Sequence, residues 1–270
     1  MRIGADPSFR SDPKSDQQRE PQIFAALLIK KVLMTEERIF KIKIAELTVE
    51  MHSEFGYSEK KCADFITDSA DTDIVAYPMA KPSRGTSENV LVPPKWYTEY
   101  IDLYRSIAEQ LPNFGRFVFH GASVKAFGRG YVFTAPSGTG KSTHISLLMK
   151  HYKDQVSIIN GDKPIICVKD GEAIVHSCPW AGKEDWRSNT SAPIGGMILL
   201  HRGLENRIRR IEPSEYFGEL MKQIYIPQNG EMKLKALDLI DKLAKTVPFY
   251  LLECNISEEA AKTSFEIMKE

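Results

Sequence analysis

The sequence of 270 residues predicts an α/β fold with a smaller α+β region on its N-terminal side. Two observations support this prediction. An apolar segment, Tyr131 to Thr134, runs into a glycine-rich loop, and the residues after the loop have the periodicity of an amphipathic helix. Upstream, Arg38 to Met51 alternates between apolar and polar residues and changes phase at Ala45-Glu46, which is typical of two short strands joined by a tight turn or bulge.

Composition places the chain among ordinary globular proteins. Hydrophobic residues make up 42% of it, which is enough to bury a sizeable core. Basic and acidic residues number 36 each, and this neutral balance argues against nucleic acid or an anionic membrane as the partner. The four cysteines have no metal-ligand spacing, so we expect reduced, mostly buried thiols in a cytoplasmic protein.

The first third of the chain contains a polar stretch, an apolar stretch and a helix. Residues 1–21 have the composition of a flexible arm. The apolar segment from Ile23 to Met34 is shorter than the ~20 residues that span a bilayer, so we expect no membrane anchor. Tyr77 to Asn89 is predicted to be a loop, and Pro93-Pro94 opens a helix that continues to Leu111.

The remainder alternates between strands and helices. Val124 to Phe133 is predicted to form a hairpin, and a second hairpin turns at Asp170-Gly171. Ile194 to Leu200 is an apolar strand, and Asn206 to Ile211 is expected to pair near it. Further predicted elements are helices over Pro213 to Tyr225 and Glu231 to Ala244, a strand over Phe249 to Leu252, and a closing helix capped by Ser257.

The glycine-rich loop matches the phosphate-binding pattern G-x-x-x-x-G-K-[ST] everywhere except its first position, Ala135. Glycines in such a loop let backbone N–H groups converge on an anion, the lysine reaches the β- and γ-phosphates, and the hydroxyl is a Mg²⁺ ligand. The alternative is a glycine-rich turn with a chance lysine. The residues we predict to bind a nucleoside triphosphate are Ser137, Gly138, Thr139, Gly140, Lys141, Ser142 and Thr143.

An acidic residue at the end of a neighbouring strand completes sites of this kind, because it holds the metal or accepts a proton. Asp162 follows the short apolar strand from Val156 to Ile159 and lies about twenty residues beyond Lys141. We therefore predict that Ser142 and Asp162 hold Mg²⁺. The alternative is an ordinary turn aspartate before Pro164.

These motifs, together with the segment from His120 to Val124, resemble the core of the HPr kinase/phosphorylase family. The loop also resembles that of ATP-dependent phosphoenolpyruvate carboxykinase, which shares the core. Pro179-Trp180-Ala181-Gly182-Lys183 further resembles a group of bacterial proteins of which some are linked to peptide modification. The resemblance implies a P-loop core with a mixed sheet over residues 113–270, after an α+β region over residues 22–112.

The resemblance also implies residue roles. His120 would lie near the phosphates and the catalytic acid, Lys141 would stabilise the transferring group, and Asp162 would act as base. Two positions depart from the family: Gly161 replaces the first aspartate of a pair, and Thr143 replaces a glutamate. The loss of one carboxylate bears on phosphoryl transfer more than on nucleotide binding.

The predicted function is an ATP- or GTP-dependent, Mg²⁺-dependent kinase that phosphorylates a serine hydroxyl of a protein or peptide. The alternatives are a non-catalytic nucleotide-binding regulator and a small-molecule carboxykinase. HPr kinases are oligomeric, so homo-oligomerisation stays open.

Two further segments have two interpretations each. Cys178 to Arg187 contains two tryptophans, which either contact substrate or pack in the core, with Lys183 and Arg187 as candidates to neutralise phosphate. The basic cluster that includes Arg202 and Arg207 is either a solvated strand face or a source of phosphate ligands.

Overall fold

The computed structural model describes residues 37–79 and 93–269. The predictions for the arm over residues 1–21, for Ile23 to Met34 and for most of the loop from Tyr77 to Asn89 lie outside these residues.

A small sheet of three strands opens the described part of the chain. Its strands, in spatial order, are β1 (Arg38–Ile44), β2 (Leu47–Ser53) and β3 (Ile74–Ala76). The strand β2 pairs antiparallel with β1 and parallel with β3. Ala45 and Glu46 form the turn with φ of 46° and 67°, which confirms the predicted phase change.

Two helices pack against this sheet. They are α1 (Gly56–Lys61) and α2 (Lys95–Gln110), and the apolar residues that α2 buries are Tyr100, Leu103, Tyr104, Ile107 and Ala108. A 3₁₀ turn over Leu111–Phe114 follows α2. The core beneath the small sheet also contains Val118, Ile165 and Trp180 from later in the chain, so the two predicted regions share one hydrophobic cluster. The boundary between residues 112 and 113 stays a prediction.

The second sheet is mixed and has nine strands within the described residues. The strands are β4 (Arg116–Val118), β5 (Ala122–Ala126), β6 (Arg129–Thr134), β7 (Val156–Asn160), β8 (Ile165–Lys169), β9 (Glu172–His176), β10 (Ser191–Arg202), β11 (Arg207–Ile211) and β12 (Phe249–Cys254). Their main order is β4-β8-β9-β10-β6-β5-β7. Both predicted hairpins, β5–β6 and β8–β9, are confirmed.

The long strand β10 joins the two halves of this sheet. Its first residues pair antiparallel with β9, and after a bulge between Ile194 and Gly196 it runs parallel to β6. The parallel strand β12 lies on its other side, and β11 pairs only with β12. The segment Asn206 to Ile211 thus pairs near β10, as expected, with β12 between the two strands. The apolar strand β12 takes the interior position, whereas the arginine-rich β11 takes the edge, where its side chains reach water.

Four helices complete the described part of the chain: α3 (Lys141–Tyr152), α4 (Phe217–Met221), α5 (Gly230–Thr246) and α6 (Glu258–Glu266). The Ser257 hydroxyl accepts a hydrogen bond from the Ala260 N–H, which confirms the predicted cap. The helix predicted over Pro213 to Tyr225 stops at Met221. The next residues leave the helix because Tyr225 N–H donates to the Val118 carbonyl and Gln223 O accepts from His120 N–H.

All four cysteines are buried and free of disulfides. This agrees with the expectation of reduced thiols. Within the described residues, no helix combines the length and apolar character that a membrane-spanning segment needs.

Candidate active site

The glycine-rich loop connects β6 to α3. The strand is buried up to Ala135, and the helix begins at Lys141, directly after Gly140. Gly138 and Gly140 have φ of 80° and 119°, a region that other residues avoid, whereas a Cβ at either position would meet open space. Backbone conformation, not crowding, therefore requires glycine here.

Several hydrogen bonds stabilise the loop. The Thr139 hydroxyl and N–H both donate to the Pro136 carbonyl, at 2.8 and 3.2 Å. The Arg202 guanidinium donates to the carbonyls of Thr139, at 2.9 Å, and Gly138. Arg202 thus contacts the loop itself, while Arg207 and Arg209 form exposed ion pairs with Glu253 and Glu215, as a solvated strand face would.

Three of the predicted site residues lie together at one end of the loop. His120 Nε2 is 3.5 Å from Lys141 Nζ and 3.2 Å from Asp162 Oδ1. A fourth residue, Lys163, donates to Asp162 Oδ2 at 3.0 Å. His120 Nε2 can serve only one of its neighbours at a time, because a protonated nitrogen donates to the carboxylate and an unprotonated one accepts from the ammonium.

The electrostatics of this group favour an ionised carboxylate. Burial alone would raise the pKa of Asp162, but the hydrogen bond from His120 and the Lys163 ammonium outweigh burial and lower the pKa to about 2. Burial lowers the pKa of Lys141, and the Asp162 carboxylate opposes that shift. Asp162 is therefore charged at neutral pH.

The residue before the Gly161-Asp162 pair sets the position of the carboxylate. Asn160 ends β7, and its Oδ1 accepts from the N–H groups of Asp162, at 2.9 Å, and Lys163, at 2.7 Å. Its Nδ2 donates to the Cys178 carbonyl at 3.0 Å. Our sequence analysis missed Asn160 and Lys163. An asparagine before glycine is a turn signal that points to Asn160, whereas nothing local marks Lys163.

Close packing explains why residue 161 is glycine. A Cβ there would lie 3.1 Å from Trp186 Cβ and 3.2 Å from the carbonyl oxygens of Ala181 and Trp186. The Gly161 N–H also donates to the Trp186 carbonyl at 2.8 Å. An aspartate at this position would therefore require the segment from Ala181 to Trp186 to move.

That segment belongs largely to the framework of the site. Trp180 is 4% exposed, stacks on Tyr100 with ring centroids 5.5 Å apart, and donates its indole N–H to the Tyr100 carbonyl. Arg187 pairs with Asp185 and Asp64, so it is engaged away from the loop. The packing interpretation thus describes Trp180, whereas the Arg187 side chain is mostly buried and not solvated. Lys183 stays largely exposed beside the cavity described next.

A cavity of about 760 Å³ opens beside His120, Asp162 and Lys163. Its walls are rich in aromatic residues, with further cations at the rim. The aromatic members are Tyr57, Tyr97, Tyr100, Tyr104, Trp180 and Tyr225, and the further cations are Lys61, Arg105, Lys183 and Lys222. Of the predicted site residues, only His120 and Asp162 line this cavity. Thr143 lines a smaller pocket instead.

The donor atoms suit Mg²⁺. Ser142 supplies a hydroxyl in the first turn of α3, and Asp162 supplies an ionised carboxylate. The described residues contain no cluster of three or more metal-binding side chains. Mg²⁺ does not need such a cluster, because it usually keeps several waters and adds one or two protein oxygens to those of a phosphate.

Comparison with known proteins finds structural likeness only. The sequence matches no protein-family model and no curated protein. The chain resembles in structure the Hpr(Ser) kinase/phosphatase from Coxiella burnetii, with 12% sequence identity, 56% of this chain and 92% of that chain covered, and a TM-score of 0.33. This likeness is weak, so we base no conclusion about function on it.

Proposed function

We propose that this protein is an ATP- or GTP-dependent, Mg²⁺-dependent kinase that transfers the γ-phosphoryl group to a serine hydroxyl of a protein or peptide. One observation carries the proposal: His120 lies 3.5 Å from Lys141 at the end of the glycine-rich loop and 3.2 Å from Asp162, and His120 and Asp162 line the large cavity. A triphosphate on the loop would therefore lie next to a charged carboxylate and to space for a second substrate.

The loop and Lys141 would bind the triphosphate. Gly138 and Gly140 give the loop its turn, and the start of α3 at Lys141 adds the positive end of a helix. The partly buried Lys141 ammonium would stabilise the negative charge of the transferring group. Ser142 and Asp162 would hold Mg²⁺, which neutralises charge on the β- and γ-phosphates.

Transfer breaks the bond between the γ-phosphorus and the bridging oxygen and forms a bond from the γ-phosphorus to the serine oxygen. The nucleoside diphosphate leaves, and the serine proton passes to a base. Asp162, which is ionised at neutral pH, would accept that proton. His120 Nε2, 3.2 Å from Asp162 Oδ1, would orient the carboxylate.

The cavity supports a large acceptor. Its volume of about 760 Å³ exceeds what a hydroxyl alone needs, and its aromatic walls can bury apolar side chains. Three of the further cations in its lining are already ion-paired: Lys61 with Asp185, Arg105 with Asp102 and Lys183 with Glu184. A peptide or an exposed protein segment with a serine fits a cavity of this size.

The experiment measures transfer of radiolabel from γ-labelled ATP to serine-containing peptides in the presence of Mg²⁺. Asp162→Asn should lower the transfer rate at least about a hundredfold. Asp170→Asn, in the exposed β8–β9 turn, is the matched control and should leave the rate unchanged. Transfer that survives Asp162→Asn would remove Asp162 from the proposal.

Gly161 favours a second candidate function, a nucleotide-binding regulator without catalysis. A Cβ at residue 161 would already lie 3.1–3.2 Å from its neighbours, so the second carboxylate of the HPr kinase pattern would require those neighbours to shift. Single-turnover nucleotide hydrolysis distinguishes the two functions. Hydrolysis that Lys141→Ala abolishes supports the kinase, whereas tight nucleotide binding without any turnover supports the regulator.

A further inference from the structure

A second pocket, of about 300 Å³, lies beside the glycine-rich loop. Thr139 and Gly140 of the loop line it, together with Thr143 in the first turn of α3. The helix α3 also contributes His144 and Leu147, and the rest of the wall comes from the ends of β10 and β12 and the residues that follow them. His120 and Asp162 line the large cavity but not this pocket, and the loop residues that line this pocket do not line the large cavity.

The position of the pocket follows from the sheet. The strands β6, β10 and β12 are parallel neighbours, so their carboxyl ends meet at one edge. Ligands of α/β proteins bind at that edge, outside the carboxyl ends of the strands. The glycine-rich loop follows β6 directly, which places the pocket next to bound phosphates.

Apolar side chains form much of the pocket wall. Leu147, Leu200 and Ile256 line the pocket, and Ile256 is 79% exposed. Leu204, in the turn after β10, is 96% exposed. An isoleucine that is largely exposed while it lines a pocket gains from a flat apolar ligand that covers it.

The amide of Asn255, the side chain best suited to recognise a base edge in this pocket, is already engaged. Its Nδ2 donates to the Leu204 carbonyl at 3.1 Å, and its Oδ1 accepts from the Ser257 hydroxyl at 2.5 Å. The Asn255 N–H donates to Asn206 Oδ1 at 3.0 Å. These bonds hold the two turns together around the pocket and keep the amide from turning freely toward a ligand.

We infer that this pocket holds the base of the nucleotide by apolar contact and does not select between adenine and guanine. The inference rests on the proposed function, because it needs the triphosphate to lie on the loop. Apolar pockets discriminate weakly between ligands of similar shape, and strong rejection requires buried polar groups that only one ligand satisfies. The affinities for ATP and GTP should therefore agree within about tenfold.

Calorimetric titration with Mg-ATP, Mg-GTP and Mg-tripolyphosphate tests the inference, because tripolyphosphate has the phosphates but no base. Both nucleotides should bind more tightly than tripolyphosphate. Ile256→Asn should lower the affinity for ATP and for GTP by about tenfold each and leave the affinity for tripolyphosphate unchanged. Ile256 is largely exposed, so this substitution does not threaten the fold. Leu234→Asn, at a 70% exposed site on α5, is the matched control and should change none of the three affinities.

The outcomes separate the claim that the pocket holds the base from the claim that it does not select between adenine and guanine. If ATP binds no more tightly than tripolyphosphate, or if Ile256→Asn leaves both nucleotides unaffected, the pocket does not hold the base. A preference between ATP and GTP above about tenfold would overturn the lack of selection. If tripolyphosphate does not bind, or binds equally well to Lys141→Ala, the phosphate site itself is wrong and the proposed function fails first.

Discussion

The two sides of the glycine-rich loop differ in chemistry. On the β7 side, His120, Asp162 and Lys163 form a charged group beside an aromatic cavity, whereas the β12 side offers leucine and isoleucine in a smaller pocket. Charged groups at fixed positions change reaction rates, and apolar walls change affinity. The comparison therefore predicts that turnover and nucleotide affinity respond to different substitutions.

The largest expected effect comes from a substitution on the charged side of the loop alone. His120→Gln removes the imidazole ring between Lys141 and Asp162, so phosphoryl transfer should slow about a hundredfold. Nucleotide affinity should stay within about threefold, because His120 does not line the smaller pocket and phosphate binding rests on the loop. Steady-state kinetics and calorimetry on the same protein give both quantities.

His151→Gln provides the control for that experiment, because His151 lies at the far end of α3 and pairs with Glu258. Its transfer rate should equal that of the unsubstituted protein. If His120→Gln instead weakens nucleotide binding as much as it slows transfer, the two sides of the loop are not separable.

A smaller effect concerns the packing behind the charged side. Gly161→Ala should lower the free energy of unfolding by about 1–3 kcal/mol, since the new Cβ meets Trp186 and two carbonyl oxygens. Gly161→Asp should destabilise at least as much and should not speed transfer. Chemical denaturation measures the first result, and faster transfer by Gly161→Asp would show that the missing carboxylate has room after all.

The smallest expected effect is on the pH dependence of the stability of the fold that supports both sides of the loop. Burial lowers the pKa of His176 to about 4, and its Nε2 has no hydrogen-bond partner among the described residues. The pKa of His176 in the folded state lies below the ordinary value near 6.5. The neutral His176 side chain therefore contributes stability that is fully present above pH 6.5 and is lost as pH falls toward 4.

Between about pH 7 and about pH 5.5, His176 should account for a loss of about 1 kcal/mol in unfolding free energy. His176→Phe should remove that part of the pH dependence. The buried His144, with its pKa also lowered to about 4 by burial, should keep its own contribution. Denaturation curves at both pH values check this, and an unchanged slope in His176→Phe would contradict it.

The parts of the molecule that were predictable from sequence depend on local signals. The turn at Ala45-Glu46, the loop glycines and the Ser257 cap follow from backbone preferences of a few residues, and all three have the expected conformation. The juxtaposition of His120 and Asp162 was expected only by resemblance to a family. The pairing order of β10, β12 and β11 depends on which strand is most apolar overall, and neighbouring residues alone do not show that.

Tertiary contacts account for what was missed at the candidate site. Lys163 and Gly161 flank Asp162 in the sequence. The role of Lys163 depends on where the Asp162 carboxylate lies, and that of Gly161 depends on the segment that begins twenty residues later, at Ala181. The end of the helix at Met221 likewise depends on backbone bonds to Val118 and His120.

The paired hydrogen bonds between Tyr100 and the Pro179-Trp180 segment have a practical consequence. The Tyr100 hydroxyl donates to the Pro179 carbonyl at 2.9 Å while Trp180 donates back to the Tyr100 carbonyl at 3.1 Å, so α2 forms one wall of the large cavity. A shortened protein that begins at residue 113 would retain the whole glycine-rich loop and lose this wall. Such a fragment is therefore a poor choice for inhibitor screening or for substrate searches, however well it binds nucleotide.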